Sequence, residues 1–220
     1  MTSTSFTTRR SLLVAAISLW ASTVVLAAPV DDAVVELQHD WEVIRYQTPA
    51  PERARRFEQL VAKAHKVSET FPDRPEALAW EGIIVSSWAG EKGGLGALGL
   101  VKQAKALYES AIRIDGNALD GSAYNSLGVL YYKVPGWPIG FGDKNTAKEL
   151  LQKALAINPK GIDPNFFYGE YLLETDQAAE AMTYLQRAVQ APARPGRQVA
   201  DAGRREEARQ LIEKARDKIK

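Results

Sequence analysis

The sequence has 220 residues, of which 45% are hydrophobic, and a formal net charge of +1 at pH 7. This length suits one domain or one stack of repeats rather than two compact domains, and the near-neutral charge argues against nucleic acid as a partner. The absence of cysteine excludes disulfides, thiolate metal sites, thiol nucleophiles and a lipoprotein anchor.

The N-terminal segment has the pattern of an export signal. Arg9 and Arg10 precede an uncharged, mostly apolar run that ends in small residues. We predict cleavage after Ala27, so that residues 1–27 are the signal peptide and residues 28–220 form a single soluble periplasmic domain. Removal of the signal takes two arginines and no acid, which changes the formal net charge to −1.

Two alternatives remain open for this segment. An apolar run of about 16 residues is shorter than the roughly 20 that a spanning helix needs, which favours cleavage and no transmembrane span over a retained anchor. The arginine pair is loosely similar to a twin-arginine signal, but the Phe and Lys that usually follow are absent, which favours ordinary export.

Three glycines, Gly82, Gly128 and Gly169, each precede an alanine-led segment that repeats one pattern. In "AKALYESAIRIDG", "AKELLQKALAINP" and "AMTYLQRAVQAP", small or apolar residues recur at spacings of four and then three, which is one face of a helix. Small residues there allow a second helix to approach closely, and the final Pro or Gly ends the unit. Each unit is therefore predicted to be a helical hairpin with a glycine at the crossing.

This pattern resembles the tetratricopeptide repeat, a helical hairpin of about 34 residues that stacks into a right-handed solenoid. The resemblance implies an all-α, tetratricopeptide-like α-solenoid of three to four hairpins, the first of them degenerate. The repeat-like units are placed at about 31–72, 75–116, 119–159 and 162–192. The charged segment at about 202–219 is predicted to be a C-terminal capping helix that ends the stack in water.

Two of the hairpins have longer turns than the last one. From the glycine to the first alanine there are 22, 19 and 12 residues in the three successive units. We therefore predict two enlarged intra-hairpin loops, "AGEKGGLGALGLVK" and "VPGWPIGFGDK". Simple repeat scaffolds need no such additions, so the loops are expected to have a role of their own.

The first loop contains, at residues 94–99, the G-x-G-x-x-G spelling of a dinucleotide site. Such a loop follows a buried strand directly, but eight residues separate it from Val85, the end of the candidate strand. Asp115, the candidate ribose-binding acid, aligns with the ends of the repeat helices. We therefore predict no nucleotide and no other cofactor. Three leucines of this loop are expected to be buried: Leu95, Leu98 and Leu100.

Outside these loops, the sequence offers no catalytic or metal-binding pattern. His39 and His65 lie on different predicted helices without the spacing of metal ligands, and no Gly-x-Ser-x-Gly elbow is present. Asp143 is predicted to cap the helix that follows the second loop rather than to contact a ligand. A basic cluster is expected to be solvated surface: Arg194, Arg197, Arg204 and Arg205. The protein is predicted not to be an enzyme.

The concave side of the stack, formed by the first helix of each hairpin, is where we expect a partner or ligand to bind. Residues three before, one after and four after each glycine share a helical stripe that faces this side. Together with two aromatic residues of the second loop, the candidate binding residues are Asn125, Tyr132, Trp137, Phe141, Phe166 and Glu170. For Tyr132 and Phe166, the pattern is equally compatible with burial between units and exposure in the groove.

With "LYYKVPGWPIGFGD" and "AKELLQKALAINP" in view, residues 75–200 resemble the T-component family of tripartite ATP-independent periplasmic (TRAP) transporters. That resemblance implies an exported, non-catalytic oligomer with a channel through each subunit, associated with a periplasmic substrate-binding protein. The family's described form is a lipoprotein, whereas this chain has no cysteine to carry a lipid.

Two functions are therefore considered. The first is a periplasmic protein-interaction scaffold that binds another cell-envelope protein, and it is preferred because scaffolds are the commoner use of the fold. The alternative is a T-component-like auxiliary transport subunit whose loops close the groove over a small apolar ligand and which binds a periplasmic substrate-binding protein. The sequence leaves open the identity of the partner and whether the chain forms a homo-oligomer.

Overall fold

The computed structural model describes residues 1–2 and 29–219, and the apolar run and cleavage point predicted for the N-terminus lie outside them. Residues 29–219 form nine helices and no strand. The helices are α1 (Pro29–Gln47), α2 (Ala50–Thr70), α3 (Pro75–Lys92), α4 (Ala97–Asp115), α5 (Ala118–Lys133), α6 (Lys144–Ile157), α7 (Ile162–Glu174), α8 (Ala178–Gln190) and α9 (Gln198–Ile219).

The first eight helices pack as four successive hairpins, α1 with α2 through to α7 with α8. The first helix of each hairpin faces the concave side, and the second helix forms the outer layer. The prediction of an all-α solenoid of helical hairpins is confirmed.

The three repeated glycines lie where the helices of a hairpin cross. A Cβ atom at Gly82 would be 2.6 Å from the ring of Tyr108, and one at Gly128 or Gly169 would be 2.8 Å from a leucine of the partner helix. Contacts under 3 Å are too close for a side chain, so only glycine allows these helices to approach as they do. The predicted crossing points are confirmed.

In the second hairpin, the extra residues mostly lengthen the helices. Helix α3 continues to Lys92 and α4 begins at Ala97, so four residues, 93–96, connect them. Gly93 and Gly94 have φ values of +61° and +59°, a left-handed conformation that favours glycine.

This geometry removes the setting that a dinucleotide loop requires. Within residues 29–219 no strand leads into the glycines, and Gly99 lies inside α4. Leu95 is 83% exposed, so the prediction that it is buried is wrong, while Leu98 and Leu100 are half-buried. A connection of four residues is too short to fold Leu95 back onto the helices.

The third hairpin has a true loop, residues 134–143, folded onto the end of α5. The Gly142 amide donates to the Pro135 carbonyl at 2.9 Å, and the Asp143 amide donates to the Tyr131 carbonyl at 2.9 Å. These two bonds hold the loop compactly between α5 and α6.

Asp143 caps α6 as predicted. Its carboxylate accepts a hydrogen bond of 2.6 Å from the Thr146 amide, at the N-terminus of the helix. This backbone hydrogen bond favours the ionised carboxylate and lowers the pKa of Asp143 below its usual value.

Helix α9 does more than end the stack. Its C-terminal half packs Ala208, Ile212 and Ala215 into the same core as α7 and α8, as a capping helix does. Its N-terminal half extends to α1, where the Ala200 amide donates to Glu42 Oε2 at 3.2 Å. The last helix therefore contacts both ends of the solenoid.

Candidate binding groove

The concave side forms a groove with a cavity volume of about 1480 Å³. Helices α1, α3, α5 and α7 supply most of its walls, and residues of α4 and α9 also line it. Residues 93–95 and 134–139 of the two hairpin connections border it. The connection between α8 and α9, residues 191–197, and the N-terminal half of α9 pass across the groove to α1. We call residues 191–197 the arm.

Three of the six predicted binding residues line this groove: Asn125, Phe166 and Glu170. Asn125 and Phe166 are both only 4% exposed. The Asn125 Oδ1 atom is buried and accepts no hydrogen bond from a described residue. Oδ1 is therefore an unpaired acceptor beneath the groove surface, although the residue itself belongs to the groove lining.

Tyr132 lies behind the groove wall, in the core between α5 and α7. Its hydroxyl donates to Glu170 Oε2 at 2.6 Å, and its ring packs edge-on against Tyr171. Burial, reinforced by the Glu170 charge, raises the pKa of Tyr132 well above its usual value, so the hydroxyl stays a donor. Tyr132 is therefore buried between units rather than exposed in the groove.

The two aromatic residues of the second loop lie outside the groove lining. Trp137 is 90% exposed, and Phe141 packs edge-on against Tyr131 with a centroid distance of 5.4 Å. The six predicted residues therefore do not form one site: three line the groove, one supports its wall, and two lie on the loop.

Arginines of the arm and α9 form ion pairs that the sequence did not predict. Arg194 Nη1 lies 2.6 Å from Asp163 Oδ2, and Arg204 Nε lies 2.9 Å from Asp163 Oδ1. Burial alone would raise the pKa of Asp163, but the two adjacent guanidinium groups outweigh it and lower the pKa to about 2. These arginines were expected on a solvated surface, and instead they join the arm and α9 to α7.

A second ion pair joins the arm to α1. Glu42 is a buried acid whose Oε2 lies 3.5 Å from Arg197 Nε. Farther along α9, Arg45 Nη2 of α1 lies 2.8 Å from Glu207 Oε1. The residues concerned are about 160 positions apart in the chain, so no local pattern could have indicated that they meet.

Comparison with known proteins agrees with the helical architecture. Residues 139–200 match the tetratricopeptide repeat family model. The fold is tetratricopeptide-like. The match spans the last part of the second loop, α6, α7, α8, the arm and the first three residues of α9. No curated protein matches the chain in sequence.

Several solved structures, including these three, are similar to the chain. The MamA protein is 18% identical, with 85% of this chain and 92% of that chain covered and a TM-score of 0.42. A thermophilic TPR protein of Thermus thermophilus is 14% identical, with 81% and 98% covered and a TM-score of 0.41. PilF of Pseudomonas aeruginosa is 14% identical, with 86% and 90% covered and a TM-score of 0.35. The resemblance to TRAP T-components stays a prediction.

Between Pro29 and Ile219, none of the helices has the length and apolar character needed to cross a bilayer. In the same range, no cluster of three or more His, Asp or Glu side chains is arranged to hold a metal ion.

Proposed function

We propose that this protein is an exported, non-catalytic protein-interaction scaffold whose groove binds a segment of another cell-envelope protein. The observation that carries the proposal is the groove itself, a cavity of about 1480 Å³ lined by the first helix of all four hairpins. Its volume suits an extended or helical peptide rather than a single small substituent.

The groove wall combines apolar surface with a few polar anchors. Ile83, Val129 and Phe166 belong to the groove lining, and so does Asn125, whose buried Oδ1 has no hydrogen-bond donor among the described residues. A buried acceptor without a partner costs about 1–3 kcal/mol. On this proposal, the wall side chains that cover Oδ1 move aside on binding, and a donor on the bound peptide offsets that cost and orients the partner.

Site-specific photo-crosslinking in cells tests the proposal. A photoreactive residue at Val129, on the groove wall, is expected to give one discrete adduct with a cell-envelope protein. The same residue at Lys148, exposed on outer helix α6, is the matched control and is expected to give none. Adducts of equal yield at both positions, or at Lys148 alone, contradict a groove-specific partner.

The adduct must also depend on the groove chemistry. Replacing Asn125 with Leu keeps the approximate volume and removes the acceptor, so the Val129 adduct is expected to fall by about tenfold. Mass spectrometry of the adduct identifies the partner and the segment in contact. An adduct unchanged by Asn125→Leu would mean that the partner does not use this wall.

Export has a separate test, because it rests on the N-terminal pattern alone. The intact mass of the protein recovered from the periplasm is expected to correspond to residues 28–220. Recovery of the uncleaved chain in the membrane fraction would show instead that the apolar run is a retained anchor.

The alternative, a T-component-like auxiliary subunit of a TRAP-type system, is supported by one observation. The arm and α9 cross the groove and cover part of its opening. A scaffold for long peptides does not need such a cover. Native mass spectrometry is expected, on this alternative, to show an oligomer with a small bound mass that is lost in Phe166→Ala. A ligand-free protein that retains a second polypeptide favours the scaffold.

A further inference from the structure

Two neighbouring hairpin connections carry exposed apolar side chains. Leu95, between α3 and α4, is 83% exposed, and Trp137 and Ile139, between α5 and α6, are 90% and 60% exposed. Within residues 29–219, six large apolar side chains are exposed, so half of them lie on these two short segments. Single exposed apolar residues are ordinary on a protein surface, whereas a group of them indicates a surface that binds something.

The two connections lie side by side at one end of the solenoid. Helices α3 and α5 are the first helices of adjacent hairpins, so both end on this side, and both connections border the groove. The core that buries Val134, the first residue of the second loop, is also contacted by Leu100 and Val101 near the start of α4. The apolar side chains of the two connections therefore belong to one surface.

The backbone of the second loop holds Trp137 in its exposed position. The Gly140 amide donates to the Gly136 carbonyl at 3.1 Å, which closes a turn around residues 137–139. Pro138 restricts the backbone next to the tryptophan. The exposure of Trp137 is therefore a property of a closed turn rather than of a loose segment.

The charges on these two segments are mostly positive. Residues 92–102 and 134–144 contain one acid and three exposed lysines: Lys92, Lys102 and Lys144. The acid, Asp143, already accepts a hydrogen bond from the Thr146 amide at the start of α6. The next charged residues along the chain are in ion pairs, Glu91 with Arg45 and Lys133 with Glu170 and Glu174. An excess of positive charge therefore surrounds the exposed apolar side chains.

This combination of side chains matches the chemistry of a membrane surface. The indole of tryptophan favours the interface between water and lipid chains, and lysines are attracted to anionic headgroups. The apolar side chains protrude from two separate connections. A deformable lipid surface accommodates such protrusions, whereas a folded protein partner needs a complementary pocket for each of them.

We propose that the end of the solenoid that carries Leu95, Trp137 and Ile139 binds the surface of an anionic lipid bilayer. The three apolar side chains enter the headgroup region, and the three lysines of the same segments contact lipid phosphates. Because Leu95 and Ile139 also border the groove, this attachment places one end of the groove at the membrane surface. The binding requires no protein partner, so it goes beyond the proposed scaffold function.

Co-sedimentation of residues 28–220, which include every described helix, with lipid vesicles tests the proposal. Vesicles of phosphatidylcholine with about one third phosphatidylglycerol are expected to bind the protein at least about tenfold more tightly than phosphatidylcholine alone. Added salt is expected to weaken this binding, because it screens the lysines. Tryptophan emission is expected to shift to shorter wavelength as Trp137 leaves water. No binding to the anionic vesicles, or equal binding to both kinds, overturns the proposal.

Variants of Trp137 separate its contribution from that of the rest of the surface. Trp137→Ala is expected to weaken vesicle binding by about tenfold, because it removes the largest apolar side chain. Trp137→Phe keeps an aromatic ring, so it is expected to bind almost as well but without the emission shift. Val35→Ala, at an exposed valine in the half of α1 farther from this end, is the control and is expected to change nothing. Binding that is unchanged in Trp137→Ala overturns the proposal.

A protein partner at this surface gives a different result. A photoreactive residue at position 137 that yields a discrete protein adduct in cells, without vesicle binding by the purified protein, overturns the membrane proposal. The scaffold function fails separately. If the vesicles bind and no Val129 adduct forms, the membrane surface stands and the scaffold is wrong; if the Val129 adduct forms and the vesicles do not bind, the reverse holds.

Discussion

At the scale of single residues, Asp163 holds three parts of the fold together through two arginines. It is the carboxylate that Arg194 and Arg204 share, and through it α7, the arm and α9 are joined. Its side chain is 29% exposed, so water screens the pairs in part. A carboxylate held ionised in the fold stabilises the folded state only while it remains ionised.

The first prediction concerns pH. The pKa of Asp163 is about 2 in the fold and about 3.9 in an unfolded chain, so its contribution is present above pH 3.9 and is lost as the pH falls toward 2. Asp163→Asn is expected to lower the free energy of unfolding at pH 7 by about 1–2 kcal/mol and to flatten its fall between pH 4 and 2. Urea titrations at pH 7 and between pH 4 and 2 measure the free energy of unfolding. Glu58→Gln, on the exposed face of α2, is the control. An unchanged pH profile contradicts the ion-pair role.

The second prediction concerns the crossing glycines. Gly128→Ala places a Cβ atom 2.8 Å from Leu151, so it is expected to destabilise the fold by about 1–3 kcal/mol. Gly90, also within a helix, has no atom within 4 Å of an added Cβ, so Gly90→Ala is expected to stabilise by up to about 1 kcal/mol. Thermal unfolding of both variants tests this, and effects of the same sign would contradict the crossing geometry.

At the scale of elements, the two longer hairpins differ in how they use their extra residues. In the second hairpin the residues extend α3 and α4, and in the third they form a compact loop closed by Asp143 at the start of α6. The spacing predicted both insertions but not this difference, because alanine and leucine between glycines suit a helix as well as a loop. The helix cap was predictable because Asp before a helix bonds only to amides next to it in the chain.

The third prediction follows from that cap. Asp143→Ala removes the acceptor for the Thr146 amide, so it is expected to lower the melting temperature and to increase hydrogen exchange in the first turn of α6. Asp143→Asn retains an acceptor and is expected to behave almost as the unmodified protein does. If the Asn variant loses as much stability as the Ala variant, charge rather than capping is responsible.

At the scale of the whole molecule, the contact between α9 and α1 distinguishes this solenoid from an open stack. Glu42 accepts from the Ala200 amide and pairs with Arg197, while Arg45 pairs with Glu207. These contacts join the first and last helices across the groove, so access to the groove depends on the arm and on the start of α9.

The fourth prediction tests this connection. Glu42→Gln keeps the shape of the side chain and removes the charge opposite Arg197, so it is expected to weaken the attachment of α9 to α1. Hydrogen exchange of residues 198–204 is expected to rise several-fold while that of α5 is unchanged. Glu36→Gln, an exposed acid on the same helix, is the control. Uniform faster exchange would indicate a global loss of stability instead.

The sequence by itself determined the helical hairpins, their glycine crossings, the cap at Asp143 and the concave positions of Asn125, Phe166 and Glu170. All of these depend on residues three to four positions apart or on one repeated unit, where periodicity carries the information. Only the tertiary structure decided that Tyr132 is core, that Trp137 lies outside the groove lining, and that Arg194, Arg197 and Arg204 belong to it. The acids that these arginines contact on α1 and α7 are distant in the chain. A basic residue in the sequence is equally compatible with solvent and with a buried carboxylate, and only the fold brings that carboxylate to it.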